Sequence, residues 1–400
     1  MSSETTIPGV DAVTPSNFKT WQTPLRQSSL STCIHCRRKF MFECRWRLFL
    51  KQQPFQSAST TGHIVHRLLQ VGPEHIDSVD REVQMEINAL TARIDAGEDL
   101  LGHLAASVNG LTDSLNMAKV MCLLLWERYP RPPHIRTLFR EFTIRTMLKL
   151  TPPGMPALDI PIEGTLDEGV LDEQASCVYI RDTKTTGRPV EFTLTGYSYS
   201  LQCRLYRILI DAWLRSQKET PLVGVTKISD LPPTATGFIL DILQKPTIRM
   251  CDKDRPFTEY NAILSRGPRK GQMEVRREYA EGTSPVFENY LNRCREWYKE
   301  AGSEAASSFS VAYAEAPMPS ELADALILGY YLTAQEPIPS LFARDITSDA
   351  CTAWDRVCLY YPLCSTSEAA WPAIIESKYE QVPPPKIEEE VKDNESTELS

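Results

Sequence analysis

The chain has 400 residues, 42% hydrophobic and 24% charged, an ordinary globular composition that excludes wholesale disorder and suits one large domain with insertions or two domains. Its formal charge of −9, from 43 Lys and Arg against 52 Asp and Glu, excludes a generally basic nucleic-acid coat but leaves room for a local basic groove. The longest apolar stretches, Val120–Trp126 and Leu205–Leu214, are too short or too interrupted by charge to span a bilayer.

The polar start Met1–Val13 has no basic segment followed by an apolar run, so no secretory signal is expected, and residues 1–27 read as an extended lead. Cys36–Leu50 mixes apolar and aromatic residues with Arg37, Arg38, Lys39, Arg45 and Arg47 at helical spacing. Thr60–Gln70 is predicted helical, with Ile64, Val65, Leu68 and Leu69 in one stripe. Helix continues over Val83–Glu127, with breaks expected at Gly97, Gly102 and Gly110, and ends at Pro130, Pro132 and Pro133. Strands follow at Phe139–Met147, Ile160–Leu171 and Cys177–Lys184. An amphipathic helix over Tyr199–Arg215 and a strand at Gly237–Leu243 complete a compact α/β core. A second basic stretch carries Arg266, Arg269, Lys270, Arg276 and Arg277. The acidic, Pro-led tail over 380–400 cannot bury apolar surface and is expected to be disordered.

The chemistry concentrates in Arg181-Asp182-Thr183-Lys184. Residues two apart on a strand share a face, so Asp182 and Lys184 project together while the Thr183 backbone carbonyl can face the same site. Asp167, in Gly164-Thr165-Leu166-Asp167 on the preceding strand, can meet Asp182 across a short turn. Two carboxylates and a carbonyl offer hard oxygen ligands to Mg²⁺ or Mn²⁺, and His66 on the preceding helix can add an imidazole. A lysine ammonium beside them can orient water and offset charge developing at phosphorus. Gln202 and Tyr206 share a face of the next helix at i, i+4 and can hydrogen-bond a phosphate or the lysine. The residues thus point to metal-dependent phosphodiester hydrolysis.

Eleven cysteines with no secretion signal predict free thiols or metal in a reducing compartment. Cys351, Cys358 and Cys364 lie in one short segment and lack a fourth ligand, which Cys33, Cys36 or Cys44 could supply. An all-cysteine site means zinc or an iron–sulfur cluster.

In order, Cys36-Arg-Arg-Lys-Phe40, Gly62-x₃-His66, Gly164-x₂-Asp167, Asp182-x-Lys184, Gln202-x₃-Tyr206 and the three C-terminal cysteines resemble the PD-(D/E)XK nuclease superfamily, in its RecB-like exonuclease branch with an iron–sulfur cluster. That branch includes CRISPR-associated and bacteriophage exonucleases. The resemblance spans roughly residues 28–366 and implies a mixed sheet flanked by helices, with a helical insertion at 71–133, an extension at 245–350 and a C-terminal cysteine staple. It implies His66, Asp167, Asp182 and the Thr183 carbonyl as ligands of Mg²⁺ or Mn²⁺. Asp167, Asp182, Lys184, Gln202 and Tyr206 would be the catalytic set. Cys36, Cys351, Cys358 and Cys364 would hold a 4Fe–4S cluster. Arg37 stands where the family usually has proline, and the C-x₆-C-x₅-C spacing departs from the common C-x₂-C-x₅-C.

The expected activity is DNA exonuclease on single-stranded or free-ended DNA, in recombination, repair or phage DNA processing, with a possible recombination partner protein and no membrane. The expected location is the bacterial or phage-infected host cytosol. Arg37, Arg38, Lys39, Arg269, Lys270, Arg276 and Arg277 are the candidate DNA contacts. The competing expectation is a catalytically silent DNA-binding or assembly protein on the same fold.

Overall fold

Apolar stripes on successive helices and a β-rich middle define the architecture in the computed structural model, which describes residues 19–51, 56–99, 102–198, 200–217, 231–263, 266, 272–300, 306–312, 320–343, 351–352 and 357–384. In chain order its helices are α1 Gln27–His35, α2 Arg37–Phe40, α3 Ser57–Val71, α4 Ile76–Asp95, α5 His103–Arg128, α6 Val190–Ser198, α7 Leu201–Gln217, α8 Phe287–Glu300, α9 Ser320–Ala334, α10 Tyr361–Cys364 and α11 Trp371–Lys378. Its strands are β1 Leu48–Leu50, β2 Ile135–Leu150, β3 Leu158–Asp172, β4 Cys177–Thr186, β5 Gly237–Gln244, β6 Phe257–Ile263, β7 Met273–Tyr279, β8 Ala306–Ala312 and β9 Tyr379–Gln381. These fall into two compact units, one of residues 1–53, 147–163 and 318–400, the other of 54–146 and 164–317.

The second unit holds the greater part of a five-stranded sheet in the order β2-β3-β4-β5-β8, with β3 and β4 antiparallel, β4 and β5 parallel, and β8 antiparallel to β5. The parallel β4–β5 pair requires a crossover, which α6 and α7 supply. A three-helix layer packs through Ile64, Val65 and Leu68 of α3, Val79, Val83 and Ile87 of α4, and Leu111, Leu115, Ala118, Cys122 and Leu125 of α5. These i, i+4 stripes are the burial that makes the three helices form. Gly97 and Gly102 lie between α4 and α5 with positive φ, as expected of breaks. Gly110 instead lies within α5: its helix penalty, about 1 kcal/mol, is outweighed by the buried stripe that begins at Leu111. Strand β8 and helix α6 were not expected from the sequence. Strands β6 and β7 form a separate antiparallel hairpin with Phe257 opposite Tyr279 and Ile263 opposite Met273.

The first unit is built around Phe42, whose ring lies 5.7 Å from Trp46, 5.4 Å from Tyr360 and 5.2 Å from Trp371. Its polar tips are satisfied by backbone: Trp371 Nε1 donates to Leu363 O at 2.7 Å and Tyr360 Oη to Leu48 O at 2.7 Å. Strands β1 and β9 pair antiparallel, Leu48 opposite Gln381. Residues 380 and 381, expected to open a disordered tail, are instead paired in this ladder. Residues 1–18 of the expected lead and 385–400 of the expected tail lie outside the described residues.

Helix α7 crosses β3 at Gly164, where an added Cβ would sit 2.5 Å from Leu209 Cδ1 and 3.2 Å from Tyr206 Cε1. Gly164→Ala should therefore destabilise the protein by about 1–3 kcal/mol through overpacking. Gly187→Ala, with nothing within 4 Å of the new methyl, should change stability far less. Urea melts of the two variants check this, and equal midpoints would contradict the close crossing.

Candidate active site

Six elements of the second unit converge on one cluster. Helix α3 turns its apolar stripe to the core and leaves His66 half-buried beside it. His66 Nδ1 lies 3.1 Å from Asp167 Oδ2 on β3 and 3.8 Å from Glu141 Oε1 on β2. Among the described residues, His66, Glu141 and Asp167 form a group whose donor atoms all lie within 4.8 Å of one another. The Thr183 N–H donates to Asp167 Oδ2 at 3.0 Å, tying β4 to the cluster. Asp182, fully buried, faces Lys184 with Nζ 2.6 Å from Oδ2 and accepts from Gln202 Nε2 at 3.3 Å on Oδ1. Tyr206, one turn along α7, shares a hydrogen bond with Gln202. The Lys184 ammonium also rests 5.3 Å from the ring centre of Tyr197 on α6.

Electrostatics separates the two aspartates. Burial pushes Asp182 up to about 6, with the Asp167 charge adding to it and Lys184 opposing. Burial also raises Asp167, but the His66 hydrogen bond and charge, Lys184 and the Thr183 N–H outweigh it and hold Asp167 below its ordinary value. His66 is disfavoured as a cation by burial, yet its hydrogen bond and attraction to Asp167 raise it overall. Glu141 is raised by burial and then by Asp167.

The expected ligand set was His66, Asp167, Asp182 and the Thr183 carbonyl, whereas the tight trio contains Glu141 and Asp182 is engaged by Lys184 and Gln202. Glu141 has φ +45°, a left-handed backbone that is costly for a residue with a side chain and that occurs here within a strand, beside the cluster. In the sequence Glu141 is one acidic residue of a strand, and nothing in its spacing signals that conformation. An imidazole and two carboxylates suit Mn²⁺ or Mg²⁺, and they leave coordination positions for water and substrate.

The cysteines assemble in the first unit. Burial raises the Cys358 thiol, and the neighbouring Cys351 and Cys36 raise it further. Cys364 is pushed up to about 11 by burial and by Cys358, Cys36 and Cys351, against the pull of Arg38. The backbone N–H of Lys39 donates to Cys36 Sγ at 3.5 Å. Cys33 instead neighbours Cys44, which burial, Glu43 and Cys33 push up to about 12. Cys36, Cys351, Cys358 and Cys364 are thus electrostatic neighbours, without forming a group as tight as His66, Glu141 and Asp167, and Cys33 neighbours Cys44.

The basic stretches are largely spoken for. Arg38 donates to the carbonyls of Phe342 at 2.6 Å and Pro339 at 2.8 Å and lies over Trp371, so it braces the first unit. Lys39 pairs with Glu43 at 3.6 Å, while Arg37 is exposed. Arg276 and Arg277 pair with Glu274 at 3.3 Å and Glu259 at 3.1 Å. Arg269 and Lys270 lie outside the described residues.

The buried Asp182 gives a signed pH effect. Its carboxyl titrates near 6 when folded and near its ordinary 3.8 when unfolded, so ionising it costs the fold stability as pH rises from about 4 to 6. In EDTA, Asp182→Asn should raise stability at pH 7.5 by on the order of 2 kcal/mol, with the gain vanishing near pH 4. Thermal melts at the two pH values check this; a variant less stable than wild type at pH 7.5 would contradict it.

Comparison with curated proteins returns no match. A family model described as the PD-(D/E)XK nuclease superfamily matches residues 24–309, a stretch that contains His66, Glu141, Asp167, Asp182, Lys184, Gln202 and Tyr206 and excludes the three C-terminal cysteines. With the mixed five-stranded sheet and the convergence of those side chains, the chain belongs to the PD-(D/E)XK nuclease superfamily, whose members are metal-dependent nucleases.

Proposed function

We propose that the protein is a Mg²⁺- or Mn²⁺-dependent deoxyribonuclease that degrades DNA exonucleolytically. The observation that carries this reading is the convergence of His66, Glu141 and Asp167 next to a buried Asp182 paired with Lys184. His66, Glu141, Asp167 and Asp182 would hold the cation, with the Thr183 backbone beside them. The cation supplies Lewis acidity and a nucleophilic water at neutral pH. Lys184 offers its ammonium to the negative charge that develops on the phosphoryl oxygens. Gln202 holds Asp182 in place, and Tyr206 holds Gln202. The Asp167 hydrogen bond fixes the imidazole of His66 for ligation.

Cys36, Cys351, Cys358 and Cys364 are proposed to hold a 4Fe–4S cluster in the first unit. Cys358 and Cys364, raised by burial and by the neighbouring thiols, suit a site that a cationic metal centre neutralises, and the backbone N–H on Cys36 Sγ suits a thiolate. In this reading the nuclease domain spans 28–366 and works in a reducing cytosol on recombination, repair or phage DNA, with or without a partner protein. Among the described residues no helix is long and apolar enough to cross a membrane.

End-labelled linear and circular DNA incubated with Mn²⁺, Mg²⁺ or EDTA tests the central claim. Linear DNA should be degraded with either cation, circular DNA spared, and EDTA should stop the reaction. Asp182→Ala should abolish cleavage and Lys184→Ala should lower the rate on the order of a hundredfold or more while DNA binding persists. Undiminished cleavage by purified Asp182→Ala protein would sink the assignment.

The cluster has its own test. Anaerobically purified protein should be brown and contain about four irons per chain. Cys358→Ala should be colourless with a lowered melting temperature, whereas Cys33→Ala should keep its colour. One zinc and no iron would replace the cluster with a zinc staple.

A further inference from the structure

A cavity of about 410 Å³ opens in the second unit beside the metal-binding trio, with His66, Glu141 and Asp167 in its wall. That volume suits a small ligand and is too small for a duplex. Its remaining walls differ in chemistry from the metal site. The C-terminal end of α5 contributes Trp126 and the residue that caps it, Tyr129, both partly buried. Opposite in character are Arg131 and Arg140, which share a single carboxylate: Arg131 Nη2 donates to both oxygens of Glu168 at 2.8 and 2.7 Å, and Arg140 Nε donates to Glu168 Oε1 at 3.2 Å. Two guanidinium groups on one carboxylate leave one positive charge on this wall, a match for a phosphate, which the carboxylates of Glu74, Glu141 and Asp167 elsewhere in the lining oppose unless a divalent cation offsets them.

The fourth feature is Asp241 on β5. It borders the cavity at 1% exposure. Its Oδ2 accepts from Arg181 Nε at 2.6 Å, while its Oδ1 is buried with no hydrogen-bond partner. A buried carboxylate oxygen without a donor costs free energy that a ligand N–H would recover. Aromatic faces, a surplus guanidinium and an unsatisfied acceptor together describe a nucleotide: a base to stack, a phosphate to pair and an amino group to donate.

We propose that this cavity is a subsite for one unstacked nucleotide of the strand being cut. The base lies against Trp126 and Tyr129, its exocyclic amino group donates to Asp241 Oδ1, and its phosphate meets Arg131 and Arg140. The inference rests on the nuclease reading for its role and adds a substrate class, because a base enters such a cavity only when it is unpaired. The substrate at the cut is then single-stranded or a frayed end, and adenine, cytosine and guanine are held better than thymine, whose one ring donor lies between two carbonyl oxygens.

Calorimetry with the four deoxynucleoside monophosphates tests this, using the full chain with Ca²⁺ in place of Mg²⁺. Wild type should bind dAMP, dCMP and dGMP about tenfold more tightly than dTMP. Trp126→Ala should weaken all four about tenfold, with Trp126→Phe restoring most of the loss. Arg131→Gln should weaken the nucleotides and leave the corresponding nucleosides unaffected. Asp241→Asn, whose oxygen can stay on Arg181 and so turn its amide NH₂ to the cavity, should erase the discrimination against dTMP; melting curves confirm that each variant is folded. Equal binding of the four nucleotides by wild type, or folded variants that bind as wild type does, would overturn the subsite. Wild type that cleaves DNA with added cation yet binds no nucleotide would also overturn it while leaving the nuclease reading standing. Protein that binds nucleotides as described but never cleaves DNA would sink the nuclease reading and keep the cavity.

Discussion

An ionisable carboxylate with no solvent exposure is the constraint around which the second unit is organised. Asp182 sits in the interior of a sheet strand, where an isolated charge would be prohibitive. Lys184 supplies the counter-charge from two residues along, which a strand permits and a helix would not. Gln202 then needs α7 to cross close by, and the close crossing needs a glycine at 164. The crossover between parallel β4 and β5 delivers that helix. One buried charge thus accounts for a strand register, a helix position and a missing side chain.

The same logic divides labour between the two aspartates. Asp167 is stabilised as an anion by an imidazole and a backbone amide, whereas Asp182 is pressed towards its protonated form by burial. Groups in contact whose proton affinities are driven apart are a mark of acid–base and metal chemistry. Glu141 stands on the same side as Asp182, raised by burial and by Asp167. A divalent cation would favour the ionised forms of Asp182 and Glu141, the two carboxyls that burial raises.

The sheet strands and the amphipathic helices were legible because burial imposes a period of two or 3.6 on their sequences, and the motif residues were legible because strand geometry fixes which neighbours share a face. Glu141 was hidden because its place in the cluster goes with a left-handed backbone that no residue pattern announces. Strand β8 was hidden because Ala306-Ser-Ser-Phe-Ser-Val-Ala312 is small and polar and is recruited by pairing with β5. The basic run after Cys36 read as a binding surface because charge is visible in a sequence and its consumption is not. Arg38 and the buried Arg45 spend their donors on backbone carbonyls, Arg45 on those of Trp21 and Gln335. Separating Cys36 from Cys33 likewise required knowing which thiols become neighbours in space.

The pairing of β1 with β9 has a temporal side. Gln381 donates to Trp46 O at 2.9 Å across a separation of 335 residues. A ribosome adding roughly 5–20 residues per second needs on the order of 15 s to a minute to make that stretch. During that interval Phe42, Trp46 and Leu48 have emerged, yet Tyr360, Trp371 and Tyr379, which bury them, do not yet exist. The nascent chain therefore carries this aromatic segment uncovered through that interval, a long exposure to chaperones and to aggregation with neighbouring copies on the same message. Cys36 waits about as long for Cys351, Cys358 and Cys364, so any metal centre built from all four forms only after that stretch has emerged.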